Sequence, residues 1–272
     1  MTRPGRWTTI AIVLLLAAWA FPLYWMVVSS ITPDARLFGD PSLLPTRPVL
    51  DHYQALFTER RFWVPIINSL IVAGTTTALA ILLGVPAAYA IARFRFRGRH
   101  WVAAAILSIS VFPQIAILSP LFLVLRAAGL IDTYPGLVLP YLTFSMPLAV
   151  WLMAAFFRQL PRDLEEAAIM DGASRLRAAV EIMLPLAAPG IATTAILTFL
   201  FSWNEFLFAL SFTLGPERQT VPVAIALFRG QYQVPWGQVL AAAVVASVPV
   251  AVVVLAFQRR IVSGLTAGAV KG

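Results

Sequence analysis

Carboxylates are the groups in this chain best suited to chemistry, and two settings stand out among the twelve. Asp163, Glu165, Glu166 and Asp171 crowd one short stretch, whereas Glu205 is the single charge between Ile182 and Pro216. An enzyme buried in apolar surroundings would need a nucleophile with its base, or metal ligands, near such a carboxylate. The chain has no cysteine, and its two histidines, His52 and His100, are too few and too far apart for a zinc site. Walker A, H-E-x-x-H and G-x-S-x-G sequences are absent, so neither ATP nor peptide hydrolysis is expected of it. The carboxylates therefore point to binding and positioning, with no cofactor and no metal held by this chain.

The elements that carry them are apolar. Of 272 residues, 60% are hydrophobic and 12% charged, with mean hydropathy +0.84. A soluble domain has about 25% charged residues, so an ordinary globular, disordered or coiled-coil chain is excluded. No charge falls between Arg6 and Asp34, Arg61 and Arg93, Arg99 and Arg126, Asp132 and Arg158, or Arg229 and Arg259. Each of these windows, and the one around Glu205, exceeds the roughly 20 residues an α-helix needs to cross a bilayer. None alternates as a membrane β-strand does. The expected fold is an all-α integral membrane protein, a single domain of six transmembrane helices at about 8–31, 66–92, 101–126, 136–157, 186–214 and 239–258. The first window could also be a signal peptide ending at Ala18-Trp19-Ala20, but its apolar run continues to Val28, too far for a signal sequence.

Net charge is +8. With the N-terminus inside, cytoplasmic segments hold thirteen Arg and Lys against six in the outer segments, which places both termini in the cytoplasm by the positive-inside rule. The basic excess thus reflects orientation and lipid contact rather than nucleic acid. The four arginines of 93–100, RFRFRGRH, are expected among cytoplasmic headgroups.

The dense carboxylates lie in the cytoplasmic loop 158–185. It reads as a helix–turn–helix at the membrane surface. Pro161 stops the preceding span, and Asp163 is the expected N-cap with Glu166 at N3. Leu164, Ala167, Ala168 and Asp171 recur at helical spacing and form a small-residue face. Gly172 supplies a left-handed residue to end the helix, Ser174 caps a second helix, and Pro185 breaks that one after Leu184.

Glu166-Ala167-Ala168, Gly172 and Ile182-x-Leu184-Pro185 match every fixed position of E-A-A-x3-G-x9-I-x-L-P. This loop resembles the EAA loop of ABC importer permeases. The resemblance implies the type I importer permease fold, with Glu165, Glu166, Ala167, Ala168, Asp171, Gly172, Ile182, Leu184 and Pro185 as the segment coupled to a cytoplasmic ATPase. FSWNEFLFAL at 201–210, TVPVAIALF followed by Trp236-Gly237, and the C-terminal GLTAGAVKG are similar to carbohydrate importers of the maltose and trehalose type, in particular their smaller, six-span permease subunit.

A carboxylate within a span costs at least ~2.5–3.5 kcal/mol, so Glu205 must face protein or a water-filled cavity. With Trp203 and Asn204 it either lines the sugar path or holds neighbouring helices together. In the resembling family the outer loop 215–238 reaches toward a binding protein, and Tyr232 and Trp236 are its aromatic anchors. The implied partners are a second homologous permease, two ABC ATPase subunits that carry ATP and Mg, an extracellular solute-binding protein, a di- or oligosaccharide such as trehalose or maltose, and membrane lipid. The chain itself is then a bacterial plasma-membrane permease working by alternating access, without catalysis of its own. The alternatives are an ABC permease for a non-sugar solute and a secondary transporter. The latter would show internal repeats, and none is evident.

Overall fold

In hydrocarbon every backbone N–H and C=O must be satisfied within the chain, and a long apolar run without strand patterning does this as a helix. A computed structural model describes residues 5–39, 43–44, 47–228 and 234–267, with side chains as far as Phe257. The helices in order are α1 (Arg6–Ser30), α2 (Asp34–Leu37), α3 (Asp51–Thr58), α4 (Trp63–Arg93), α5 (Arg99–Val111), α6 (Gln114–Ala127), α7 (Tyr134–Gln159), α8 (Asp163–Met170), α9 (Arg175–Ala178), a π-helical turn (Ala179–Met183), α10 (Leu184–Trp203), α11 (Leu207–Phe212), α12 (Val221–Ala226) and α13 (Trp236–Ala267). Five continuous helical stretches among the described residues are long and apolar enough to span, and a sixth if α5 and α6 count as one bent span.

Two expected spans differ from the sequence reading. The third, 101–126, is broken by 94° between α5 and α6. Phe112 is extended there, with ψ 131°, as the residue before Pro113 must be. The fifth, 186–214, ends its helix at Trp203, and the short α11 restarts at Leu207.

The chain divides into two compact units. One comprises the residues up to Trp63 with Ala224–Pro249; the other comprises Val64–Val223 with the chain from Val250 on. In the first unit, Phe62 is fully buried and meets Phe228 edge-on at 5.8 Å, while the Arg60 guanidinium lies 4.8 Å from that ring's centre. Arg60 Nε also donates to Gln238 at 3.0 Å.

The second unit has two packed clusters. Val85, Ala88, Ala92, Val150, Met153, Phe157, Met183 and Ala187 join α4, α7, the π turn and α10. Val72, Leu137, Tyr141, Phe144, Phe208 and Phe212 join α4, α7 and α11, and Phe144, Phe208 and Phe212 succeed one another at ring separations of 5.6 Å. Lipid is as apolar as these side chains, so the association rests on close packing, which the alanines permit, rather than on water release. The outward faces of α1 and α5, with Trp7, Leu14, Trp19, Trp101 and Val111 exposed, are suited to hydrocarbon.

Candidate functional site

The loop 158–185 is built from local signals. α7 ends at Gln159, and Leu160 turns extended, with ψ 138°, before Pro161. α8 does not begin with an Asp163 cap. Arg162 occupies the N-cap with helical dihedrals and no side-chain cap bond, and its carbonyl accepts from the N–H groups of Glu165 and Glu166 at 2.9 and 3.0 Å. Asp163, Glu165 and Glu166 instead fill the first turn, where the helix dipole favours negative charge by ~0.3–1 kcal/mol each.

The end of α8 agrees with the sequence reading. Gly172 has φ +91°, its N–H donates to Ile169 O at 3.0 Å, and the Ala173 N–H donates to Ala168 O at 2.9 Å. These two bonds are the Schellman pair. Ser174 then caps α9 by accepting from the Arg177 N–H at 3.2 Å.

Pro185 does not break the second helix. Helix runs from Arg175 to Trp203 through the π turn at Ala179–Met183. Proline lacks an N–H, and its ring crowds the carbonyl four residues back. Widening the preceding turn to a π turn gives the helix room to pass. Ile182 and Leu184 pack against the α4–α7 cluster, and Pro185 is exposed.

The expected small-residue face is divided. Ala168 is buried, while Leu164, Glu166, Ala167, Asp171 and Gly172 are exposed, together with Met170 at 87% and Leu176 at 75%. Glu165 turns back toward α4. Its Oε1 accepts from the Tyr89 hydroxyl at 2.8 Å, and its Oε2 lies 3.8 Å from Arg93 Nε. Arg93 donates through Nη2 to the Leu160 carbonyl at 2.8 Å, and its side chain is 3% exposed. Arg93 is thus removed from the headgroup cluster expected of RFRFRGRH. Its burial results from a carboxylate and a carbonyl supplied by α8 and the end of α7.

Glu205 lies in the break between α10 and α11 rather than within a span. It is buried, with Oε1 accepting from the Phe208 N–H at 2.8 Å and Oε2 from the Ala209 N–H at 3.1 Å. The buried Tyr141 side chain faces it from α7. Trp203 is buried and stacks on Phe199 at 5.7 Å, whereas Asn204 is exposed and bonds its own helix at Leu200 O, 2.8 Å away. The three residues are adjacent in sequence, but the Asn204 amide and the Glu205 carboxylate bond different backbone groups. Tyr232 lies outside the described residues, and Trp236 is 47% exposed at the first turn of α13.

Three positioning groups escaped the sequence reading. Asn68 donates to the carbonyls of Glu217 and Gln219 at 3.0 and 2.9 Å and accepts from the Tyr134 hydroxyl at 2.8 Å. An amide within an apolar window is the signal the sequence offers for it. Asp132, with φ +61°, donates its N–H to Phe212 O at 2.8 Å and accepts from the Leu214 N–H at 3.0 Å. In the first unit, Asp34 accepts from the Gly237 N–H at 3.2 Å, and His52 Nε2 donates to Thr32 O at 3.0 Å. A Cβ on Gly237 would fall on the His52 ring and 2.7 Å from Asp34 Oδ1, which accounts for glycine after Trp236. An open groove of about 510 Å³ beside them is lined by Asp34, Asp51, His52, Gln54, Glu59 and Gln238. Among the described residues no three His, Asp or Glu side chains are grouped to hold a metal ion.

Comparison with known proteins places this geometry. The chain is 47% identical over 253 residues to the trehalose transport system permease protein SugB of Mycobacterium tuberculosis, covering 92% of each chain. It is 41% identical over 266 residues to the trehalose/maltose transport system permease protein MalG of Thermococcus litoralis, covering 97% of this chain and 95% of that one. In fold it is similar to a chain of a bacterial ABC transporter involved in the import of the acidic polysaccharide alginate, with TM-score 0.77 and 23% identity, covering 95% of this chain and 99% of that one. Residues 80–266 match the family described as binding-protein-dependent transport system inner membrane component. The chain belongs to that family and is a multi-pass membrane permease component.

Proposed function

We propose that this chain forms half of the translocation path of an ATP-driven sugar importer, with both termini in the cytoplasm. A second homologous permease supplies the other half, and of two ABC ATPase subunits that bind ATP with Mg, one docks against the loop 158–185. An extracellular binding protein delivers a di- or oligosaccharide of the trehalose or maltose kind. The observation that carries the reading is the exposed end of α8. Glu166, Ala167, Asp171 and Met170 are exposed beside a Schellman turn at Gly172, and Leu176 is exposed just beyond it. An apolar patch edged by carboxylates at a defined turn fits a protein cleft better than water or lipid.

ATP binding closes the ATPase pair, and that closure favours one of two global arrangements of the helices. The sugar reading is supported by the names of the relatives, which are trehalose and trehalose/maltose permeases. Cytoplasmic termini are supported by the thirteen-to-six arginine and lysine asymmetry.

The test is purification through a tag on this chain, identification of the co-purifying subunits, and uptake of labelled trehalose and maltose in vesicles with the binding protein supplied. Recovery of an ABC ATPase with ATP-dependent uptake of either disaccharide is expected. A chain that recovers no ATPase overturns the coupling role. Recovery of the ATPase with uptake of neither disaccharide overturns the proposed substrate.

A further inference from the structure

α4 is bonded to a different loop at each end. Near its start, Asn68 is 2% exposed and uses all its polar atoms, giving two N–H bonds to the carbonyls of Glu217 and Gln219 and accepting one from Tyr134. The neighbouring Ser69 Oγ accepts from the Val221 N–H at 2.8 Å. In its last turns, Tyr89 donates to Glu165 at 2.8 Å and Arg93 donates to Leu160 O at 2.8 Å. Asn68 and Arg93 stand about 37 Å apart along the helix axis, at 1.5 Å rise per residue. Between them α4 packs closely on α7: a Cβ on Gly84 would sit 3.3 Å from that of Ala149.

The inner set is poorly suited to stability alone. Arg93 is 3% exposed and Glu165 14%, and a buried pair gains little over an apolar substitute, so its best-attested use is to fix register. The pair is also slack. Arg93 Nε is 3.8 Å from Glu165 Oε2 and has no hydrogen-bond partner, whereas a charge-assisted bond closes at about 2.7–2.9 Å. A shift of α8 by about 1 Å would close that bond, so the contact responds to displacement of α8.

We propose that α4 is a strut that carries displacement of α8 to the segment 217–221 at its far end, with Tyr89 and Arg93 as positioning residues at one end and Asn68 and Ser69 at the other. The proposal rests on the reading of α8 as the ATPase-facing helix.

The chain has no cysteine, so Leu214→Cys, at an exposed side chain beside the far segment, adds one labelling site. A nitroxide is attached there in the complete complex, with an unsubstituted complex as background, and ATP with vanadate is the probe. Nitroxide mobility is expected to change on trapping. Tyr89→Phe with Arg93→Met, or Asn68→Ala with Ser69→Ala, cuts that change by about fivefold or more. All four substitutions together cut it no further, because the two links act in series. Tyr89→Phe alone removes one hydroxyl without disturbing packing and gives an intermediate change.

The strut is overturned by a full-sized change in either paired variant, by losses that multiply in the fourfold variant, or by no change in the native background. Loss of the ATPase from Tyr89→Phe also overturns it, since the hydroxyl would then serve docking. Failure of the ATPase-facing reading shows separately, as Gly172→Val complexes with native ATPase content and uptake.

Discussion

Glu205 holds the N–H groups of both Phe208 and Ala209, at 2.8 and 3.1 Å, and so caps α11 from inside the break that precedes it. A helix start in apolar surroundings has no water to satisfy its free N–H groups, and a carboxylate three residues ahead replaces that water.

Substitution at Glu205 should therefore act first on assembly. Glu205→Gln keeps one carbonyl acceptor, and Glu205→Leu keeps none, leaving two N–H groups unsatisfied at ~1–3 kcal/mol each. The yield of monodisperse complex in detergent should fall from wild type to Gln to Leu, with transport per assembled complex falling less. If uptake collapses in Leu while yield and melting temperature hold, the carboxylate serves the transport path instead.

The turn after α8 was legible in the sequence because its cause is local: Gly172 and Ser174 each act within a few residues. The apolar windows were legible for the same reason, since helix is the only way to satisfy their backbone. The 94° bend was not, because Pro113 sets only the dihedrals next to it, and the angle depends on what α5 and α6 pack against. The burial of Arg93 was hidden by its neighbours Arg95, Arg97 and Arg99, which suggest a uniform headgroup cluster. Its carboxylate partner, Glu165, also bonds Tyr89 from 76 residues further along the chain. Glu205 was read as lying within a span because nothing between Ile182 and Pro216 other than that one charge marks the end of α10 at Trp203.

Gly172 offers a test of turn geometry as distinct from surface chemistry. No side chain or backbone atom lies within 4 Å of a Cβ built there, so any penalty comes from φ +91° alone. Asparagine visits that region more readily than alanine, and valine least, at ~1–2 kcal/mol of local strain. Uptake at matched membrane levels should rank Gly, Asn, Ala, Val. If Gly172→Val transports normally with native ATPase content, the left-handed turn is dispensable and the reading of α8 as the ATPase-facing helix falls with it.

At Gly237 the opposite holds: space, not dihedral angle, is limiting. Gly237→Ala drives a methyl into the His52 ring and the Asp34 carboxylate, an overpacking worth ~1–3 kcal/mol. The melting temperature of the purified complex should drop, and His52→Ala in the same chain should restore part of it by vacating the ring's volume. A double variant no more stable than Gly237→Ala alone would place the damage at the Asp34 bond to the Gly237 N–H.

Asp132 combines both effects, and they can be separated. Its φ of +61° disfavours branched side chains, while its Oδ1 accepts from the Leu214 N–H at 3.0 Å and so ties the α6–α7 turn to the end of α11. Asn keeps the acceptor and tolerates the dihedral, so Asp132→Asn should be near neutral. Gly keeps the dihedral and loses the acceptor, which removes one hydrogen bond worth ~0.5–1.5 kcal/mol. Val loses both and adds the left-handed strain. Thermal melting of the complex should rank wild type and Asn together, then Gly, then Val. Gly indistinguishable from wild type would show that the side-chain bond to Leu214 contributes nothing, leaving the backbone bond from the Asp132 N–H to Phe212 O as the whole of the tie.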